Sequence, residues 1–456
     1  MERGGKFWRR ARDFAPHCEW AIAATLVYRM SPVLRRWRVV LSPELADRAF
    51  KHAVAIGDAL YVFLRANRSS SNRFSFERSG LALGLVGPAL FFAYLRKAGV
   101  ERFESRATEL AEHLVDELAA TQMPTFFEGV FGVAWAWQHT WATLGSPISR
   151  NDLLLDYPLK QYLSSLPTRH TRHDVISGVA GLSIYANSRP DGSMAREQVA
   201  VIVRLLADCR TVVGNECYWL TPRDQLPPDL RSVHPAGGIN LGFAHGQAGV
   251  IAALSRILML DEIPQARQLR GEAIAYMRAW WSRDSAPVPP YAGGQTASRA
   301  RLAWCYGDLT LAVALALAEA TDEALLTAED VHRVAGRSLL LSQAEAGVVD
   351  PSLCHGSAGL AHICARLFNA TGHGKFRVAA ERWLICCLEQ HDAFVGAAGP
   401  YSKPDSQVFG ASAAPDLGLL TGSAGIGLSL LALATEQLPA WDECLLCSIP
   451  PSRTLA

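Results

Sequence analysis

An excess of charge of either sign is missing from this 456-residue chain: 44 Lys and Arg stand against 43 Asp and Glu. No run of like charge interrupts the balance, which argues against a nucleic-acid footprint or a polybasic membrane anchor and gives a substrate no bulk charge to recognise. A secretion signal is missing too. Met1 to Met30 carries Arg3, Lys6, Arg9, Arg10 and Arg12, but its apolar stretch is short, is broken by Glu19 and ends without a small-residue cleavage site. The expectation is a mature, cytoplasmic protein. Cysteine is sparse: ten in this length do not make a secreted disulfide scaffold. Cys364 in HICARLF and Cys386-Cys387 in WLICCLE sit in apolar helical patterns, where reduced packing residues are expected. Cys444 and Cys447, a bare Cys-x-x-Cys within DECLLCSI, read as packing rather than a metal or redox motif. Long apolar runs are few. Gly80 to Leu95 and Leu417 to Thr435 are uncharged or nearly so over a membrane-scale window, but both open on Gly-rich turns and their counterparts elsewhere are too short or too polar to span. They read as inner helices of a large protein with no membrane span.

What is present is apolar mass and a repeat. Half of the residues are hydrophobic, enough for one large core or for two to three ordinary domains. Gly-x-x-Gly opens apolar segments at Gly84/Gly87, Gly129/Gly132, Gly178/Gly181, Gly246/Gly249, Gly356/Gly359 and Gly422/Gly425, and a seventh copy at Gly307 has Thr310 in the second place. Each copy begins a short apolar helix such as GVIAALSRIL, and all but the last are followed by an amphipathic one such as RFESRATELAEHLVDEL. Pro43 to Asn67 supplies an unpaired amphipathic helix ahead of the first copy, which would serve the last. The predicted fold is therefore all-α, an α/α toroid of seven inner and seven outer helices forming one domain over residues 43–456, behind an N-terminal extension of residues 1–42. Irregular spacing of the copies favours such a ring with loop insertions over an open solenoid. The longest interval holds Glu216 to Asn240, too rich in Pro and Gly for helix, and is expected to be an inserted loop or small β element near the cavity mouth.

Aligned on the first glycine, the copies become columns. The two preceding residues are Ala82-Leu83, Phe127-Glu128, Ile176-Ser177, Ala244-His245, Cys305-Tyr306, Cys354-His355 and Leu420-Thr421. Cysteine and histidine side chains fall in neighbouring copies, four to six, and nowhere else in those columns. A lone cysteine or histidine in an apolar repeat is ordinarily packing, but joint placement at equivalent helix starts reverses that reading. Cys305, Cys354 and His355 make a Cys₂His zinc site with an open fourth position, the arrangement of a catalytic zinc. Two thiolates and a neutral imidazole cancel the metal charge and suit the site to hold an incoming thiolate that stays nucleophilic. Thiol alkylation is the chemistry of that ligand set. His245 in GFAHGQAG sits one repeat away and can change charge near neutral pH, as an acid or base must. Asp174, four residues ahead of Gly178, could orient a neighbouring imidazole, and Arg301, four before Cys305, could face the cavity and stabilise an enolate oxygen.

GFAHGQAG, WCYGD and CHGSAGLA resemble the three signature motifs of the LanC family, the lanthionine synthetase C-like cyclases. DVISGVAG and PAWDECLL resemble the family as well, so the likeness runs from Pro43 to Leu446. It implies a seven-fold toroid holding one zinc through Cys305, Cys354 and His355. It also implies that His245, with Asp174, Arg301 and Tyr306 near the metal, handles protons and the enolate as Cys thiols add to dehydroalanine or dehydrobutyrine, closing lanthionine or methyllanthionine rings. Thr310 departs from the family pattern and could shift the start of its helix. Only residues 1–42 precede Pro43, so the likeness is to a stand-alone cyclase acting after a separate dehydratase, on the leader and core of a precursor peptide. A dehydratase and exporter complex at the membrane would be its other partners.

Four further readings stay open on the residues alone. A zinc-dependent glutathione or other thiol-conjugating enzyme would use the same site, and prenyl transfer would share the toroid but want a basic diphosphate pocket where the motif loops offer mainly Arg301. A glycosidase would need two opposed carboxylates, and Glu128, Asp174 and Asp308 show no clear pairing. A peptide-binding scaffold without catalysis would have little reason to hold the Cys, Cys, His and acid/base set together.

Overall fold

The apolar segment behind each glycine motif is a helix in the computed structural model, which describes residues 37–67, 80–120, 123–146, 155–167, 171–189, 192–281, 287–292, 300–322, 325–395 and 416–450. In chain order the main helices are α1 (Pro43–Ala66), α2 (Val86–Lys97), α3 (Phe103–Ala120), α4 (Val130–Thr143), α5 (Asp156–Ser165), α6 (Val179–Asn187), α7 (Gly192–Asp208), α8 (Gln247–Leu260), α9 (Pro264–Trp281), α10 (Asp308–Glu319), α11 (Ala328–Gly336), α12 (Ser357–Thr371), α13 (Gly374–Val395) and α14 (Ser423–Ala434). The two kinds differ in how they start and what they bury. Among the odd-numbered helices, α1 has Pro43 at its first position and Ser42 Oγ accepting from Leu45 N–H at 3.3 Å, and it buries one stripe, Ala49, Ala53, Ile56, Leu60 and Leu64. Even-numbered helices are buried nearly all round, as α10 is from Asp308 to Ala318 and α14 from Ser423 to Leu433.

No side chain caps the even-numbered helices. Their motif loops do it with backbone: Val179, Ala180 and Gly181 N–H donate to Arg172, His173 and Asp174 carbonyls, and Ser423, Ala424 and Gly425 N–H to those of Asp416, Leu417 and Gly418. To do this the loop must pass directly under the helix start. A Cβ on Gly249 would collide with the Phe243 carbonyl oxygen, and the same contact recurs at Gly132, Gly181, Gly359 and Gly425. In these five copies the second glycine therefore marks where a carbonyl occupies the place of a side chain, and at Gly87 the backbone nitrogen of Leu419 does so.

Each even-numbered helix packs on the next, α2 on α4, then α6, α8, α10, α12 and α14, and α14 packs back on α2. α1 lies against α14 and α2, so the first helix in sequence covers the last repeat. Residues ahead of α1 pack on this body as well. Trp37 Nε1 donates to Ala432 O at 2.7 Å, and Arg377 Nε to Val40 O at 2.9 Å. Residues 1–36 lie outside the described residues. No helix among the described residues is long and apolar enough to cross a membrane.

The insertion begins earlier than expected. β1 (Thr211–Val213) pairs antiparallel with β2 (Glu216–Tyr218), and β3 (Ile239–Asn240) pairs with β4 (Tyr291–Ala292). Between them, the stretch read as unable to form helix holds two short helical turns, a 3-10 turn at Arg223–Gln225 and an α-turn at Leu230–Val233 whose Leu230 N–H donates to Pro227 O at 3.0 Å. Trp219 ties the insertion to the start of α8: Trp219 N–H donates to Gln247 Oε1 at 3.2 Å and Gln247 Nε2 to Trp219 O at 2.9 Å.

Candidate functional site

The motif loops are joined by main-chain hydrogen bonds through the residue two before the first glycine. Ala82 N–H donates to Phe127 O, Phe127 to Ile176 O, Ile176 to Ala244 O and Ala244 to Cys305 O; Trp304 N–H then donates to Cys354 O, Cys354 to Leu420 O, and Leu420 back to Ala82 O. The circuit visits all seven copies once and closes. Cys305 and Cys354 are neighbours in it, both 6% exposed.

Their thiols are in hydrogen-bond contact. That contact holds the Cys305 thiol down to about 6 against the opposing effect of burial, with the charges of Arg301, His355 and His245 acting in the same direction. The same contact, reinforced by burial, pushes Cys354 up. The pair thus favours one shared thiolate. His355, buried next to Cys354, directs Nε2 to Asp350 Oδ2 at 3.3 Å, while Asp350 Oδ1 accepts Ser352 N–H at 2.8 Å. A carboxylate beside one ring nitrogen leaves Nδ1 as the nitrogen that could take a metal, which is how metal-bound histidines are commonly oriented. Among the described residues, no group of three or more His, Cys, Asp or Glu side chains is gathered closely enough to hold a metal ion as it stands. Cys305, Cys354 and His355 instead form a contacting thiol pair with an oriented imidazole beside it, a donor set whose chemistry fits zinc.

One repeat away, His245 Nδ1–H donates to Asp174 Oδ2 at 2.8 Å, and Asp174 Oδ1 accepts Ser177 N–H at 2.8 Å. The His245 side chain is 45% exposed and that of Asp174 13%. Burial pulls the His245 pKa down, but the Asp174 hydrogen bond and charge, with Cys305 and Glu128, outweigh it and leave the pKa above its ordinary value. Burial likewise opposes ionisation of Asp174, and His245 overcomes it. The neighbouring His173, buried against Trp219 at 6.3 Å between ring centroids, is pushed down to about 4 by burial and stays neutral.

A family model described as lanthionine synthetase C-like protein matches residues 75–446, which takes in every glycine motif and every site residue named above. The chain belongs to that family. It is 22% identical over 332 residues to nisin biosynthesis protein NisC of Lactococcus lactis subsp. lactis, a match covering 66% of this chain and 77% of that protein. Its fold matches that of the solved nisin cyclase structure with a TM-score of 0.66 at 17% identity, over 86% of this chain and 97% of the other.

In this lanthionine synthetase C-like chain the remaining expected residues divide. Tyr306, next to Cys305, has its hydroxyl oxygen engaged by Asn240 Nδ2 at 2.9 Å, and burial and the nearby Tyr291 push its pKa up, so it is a neutral phenol. Arg301 is half-buried and reaches the thiols by charge, but has no hydrogen-bond partner among the described residues. Asp308 is occupied elsewhere, accepting Val288 N–H at 2.9 Å and Ser338 Oγ–H at 3.0 Å. The sequence columns missed Asp350 and Asn240, which lie six residues before their glycines. An acidic or amide residue recurring there, as Asn240, Asp350 and Asp416, was the available signal.

Proposed function

We propose that this chain is a zinc-dependent lanthipeptide cyclase, forming lanthionine and methyllanthionine by adding Cys thiols of a dehydrated precursor peptide to its dehydroalanine or dehydrobutyrine residues. The observation that carries the reading is the closed circuit of motif loops, which gathers the thiol pair, His355 and the His245–Asp174 pair. That circuit and the return of α14 onto α2 also support the α/α toroid of seven inner and seven outer helices as a single domain. Cys305, Cys354 and His355 would hold one Zn²⁺, which when bound supplies a place where a substrate thiol is kept as thiolate at neutral pH.

The chain's own residues then account for the proton and the charge. As the thiolate sulfur bonds Cβ, the Cα=Cβ electron pair moves into an enolate. Arg301 and the Tyr306 hydroxyl stabilise the enolate oxygen. His245, oriented through Nδ1 by Asp174, delivers a proton from Nε2 to Cα. The proton that the substrate thiol releases to His245 or to solvent is thereby matched by the one delivered to carbon, and the ring is an isomer of the open peptide. The partners would be the leader and core of the precursor, a separate dehydratase and an exporter.

The test combines metal content by elemental mass spectrometry with loss of alkylatable thiol in a dehydrated, cysteine-containing peptide. About one zinc per chain is expected in the wild type, and Cys354→Ala should lose metal and cyclisation together. Full activity in Cys354→Ala would sink the metal role. A wild type that leaves every peptide thiol alkylatable would sink the cyclase reading itself.

A further inference from the structure

Asn240 is 1% exposed and both ends of its amide are used: Oδ1 accepts Gly242 N–H at 2.8 Å and Nδ2 donates to the Tyr306 hydroxyl at 2.9 Å. The first bond belongs to the turn that leads into the His245 loop; the second reaches the residue beside Cys305. The repeat supplies its own control for what the turn needs. At the same position in copies six and seven stand Asp350 and Asp416, each accepting from the N–H two residues on, Ser352 at 2.8 Å and Gly418 at 3.0 Å. A carboxylate satisfies that turn, so the turn alone gives no reason for an amide in copy four. What an amide adds is the N–H pair, and here it is spent on Tyr306.

The approach of Tyr306 is also built for. A Cβ on Gly242 would stand 2.5 Å from the tyrosine ring, so the glycine makes room for the ring to lie over the turn. Because the phenol oxygen accepts from Nδ2, its own proton must point elsewhere, to the adjoining Tyr291 hydroxyl or to a substrate oxygen that takes its place, and a hydroxyl that accepts one hydrogen bond donates a stronger one. We propose that Asn240 is a positioning residue that holds the Tyr306 hydroxyl as an oriented donor toward the enolate oxygen. This rests on the cyclase reading above.

Aspartate at this position would keep the turn but reverse the contact, accepting the phenol proton and turning it away from substrate. Cyclisation of a dehydrated peptide is therefore to be measured for wild type, Asn240→Asp, Tyr306→Phe and the double variant. Asn240→Asp is expected to lower kcat about tenfold or more with KM unchanged, to match Tyr306→Phe, and to add nothing in the Tyr306→Phe background. Loss that persists in full in that background, or a wild-type rate in Asn240→Asp, overturns the proposal. Should Asn240→Asp fail to fold, Asn240→Ser decides: its hydroxyl can serve Gly242 but is too short for Tyr306, and the same non-additivity with Tyr306→Phe is required. A thermal-unfolding cycle on the same four proteins reads the Asn240–Tyr306 hydrogen bond without any substrate. Coupling there with no coupling in kcat would leave the bond structural and overturn the positioning role. An inactive wild type would instead fail the cyclase reading and take this inference with it.

Discussion

Two histidine–aspartate pairs of nearly equal length behave in opposite ways. His245–Asp174, at 2.8 Å, lies at the motif loops with its imidazole 45% exposed and its pKa raised. His362–Asp442, at 2.7 Å, is 1% exposed on the histidine and fully buried on the aspartate, and the His362 pKa is lowered. Burial opposes a charged imidazole in both. In the first, Cys305 and Glu128 add negative influence to that of Asp174. In the second, Asp442 is already committed to the guanidinium of Arg366, with Nη2 at 2.7 Å, and to Ser448 Oγ at 2.6 Å, and Arg366 repels a second positive charge. His362 also lies between Trp37 and Trp441, at 6.2 and 4.7 Å. The pair geometry is the same; deep burial, with Arg366 adding to it, keeps His362 a neutral fastening for the C-terminal segment, whereas at the more exposed His245 the negative groups outweigh burial and leave a pair that can move a proton.

Mutation should separate the two roles most sharply. His245→Ala is expected to slow cyclisation by about 10²–10⁴-fold, the usual range for a lost general acid–base group, with zinc content unchanged. An unchanged rate would remove His245 from proton transfer. Asp442→Ala should do the reverse, since it strands Arg366 as an uncompensated buried cation. A loss of about 3–5 kcal/mol in chemical denaturation is expected, while the protein that remains folded keeps its turnover. A drop of under ~1 kcal/mol, the scale of an exposed pair, would show that the cluster is not the fastening described.

The pH response sharpens the same comparison. His245 has a folded pKa above its unfolded value of about 6.5, so its contribution to stability is full below that value and is lost as pH rises through the folded pKa. His362 has a folded pKa below it, so the unfolded chain binds the extra proton and stability falls as pH drops below about 6.5. Imidazole titration by NMR should give His245 a midpoint above that of a free histidine and His362 one below. The opposite order would break the assignment of roles.

How far the sequence led follows from what each residue is doing. The motif columns were legible because glycine is demanded wherever a carbonyl lies under a helix start, as Phe243 O does at Gly249, and a demand set by backbone repeats with the backbone. Cys305 and Cys354 were legible for the same reason: the hydrogen-bond circuit runs through their column. Asp174 was found by its distance from a glycine, but Asp350 and Asn240 were not. Their partners are a side chain five residues on and a phenol in the next repeat, which no column spacing encodes. The Asp442 cluster was out of reach altogether, since it joins α12, Trp37 and the C-terminal turn across long sequence separations. The hairpin of the insertion starts at Thr211, before the Pro-rich stretch that signalled it, because three-residue strands leave too little alternation to read.

The smallest effect belongs to the copy that breaks the glycine rule. In most copies the first glycine has an extended backbone, whereas Gly307 has φ +100°, a conformation that L side chains rarely adopt. The fifth loop turns there, and the helix start is kept at Asp308. Thr310 is buried and donates from Oγ1 to Gly307 O at 3.1 Å. Restoring the motif with Thr310→Gly should cost less than about 1 kcal/mol, the difference in helix propensity with one weak hydrogen bond, and leave cyclisation within about twofold, on the order of 0.4 kcal/mol. Gly425→Ala in the neighbouring pattern, where Leu419 O fills the space, should be far more damaging. If Thr310→Gly instead lowered turnover tenfold, the fifth loop would depend on threonine to place Cys305, and the departure would be part of the site rather than an adjustment to it.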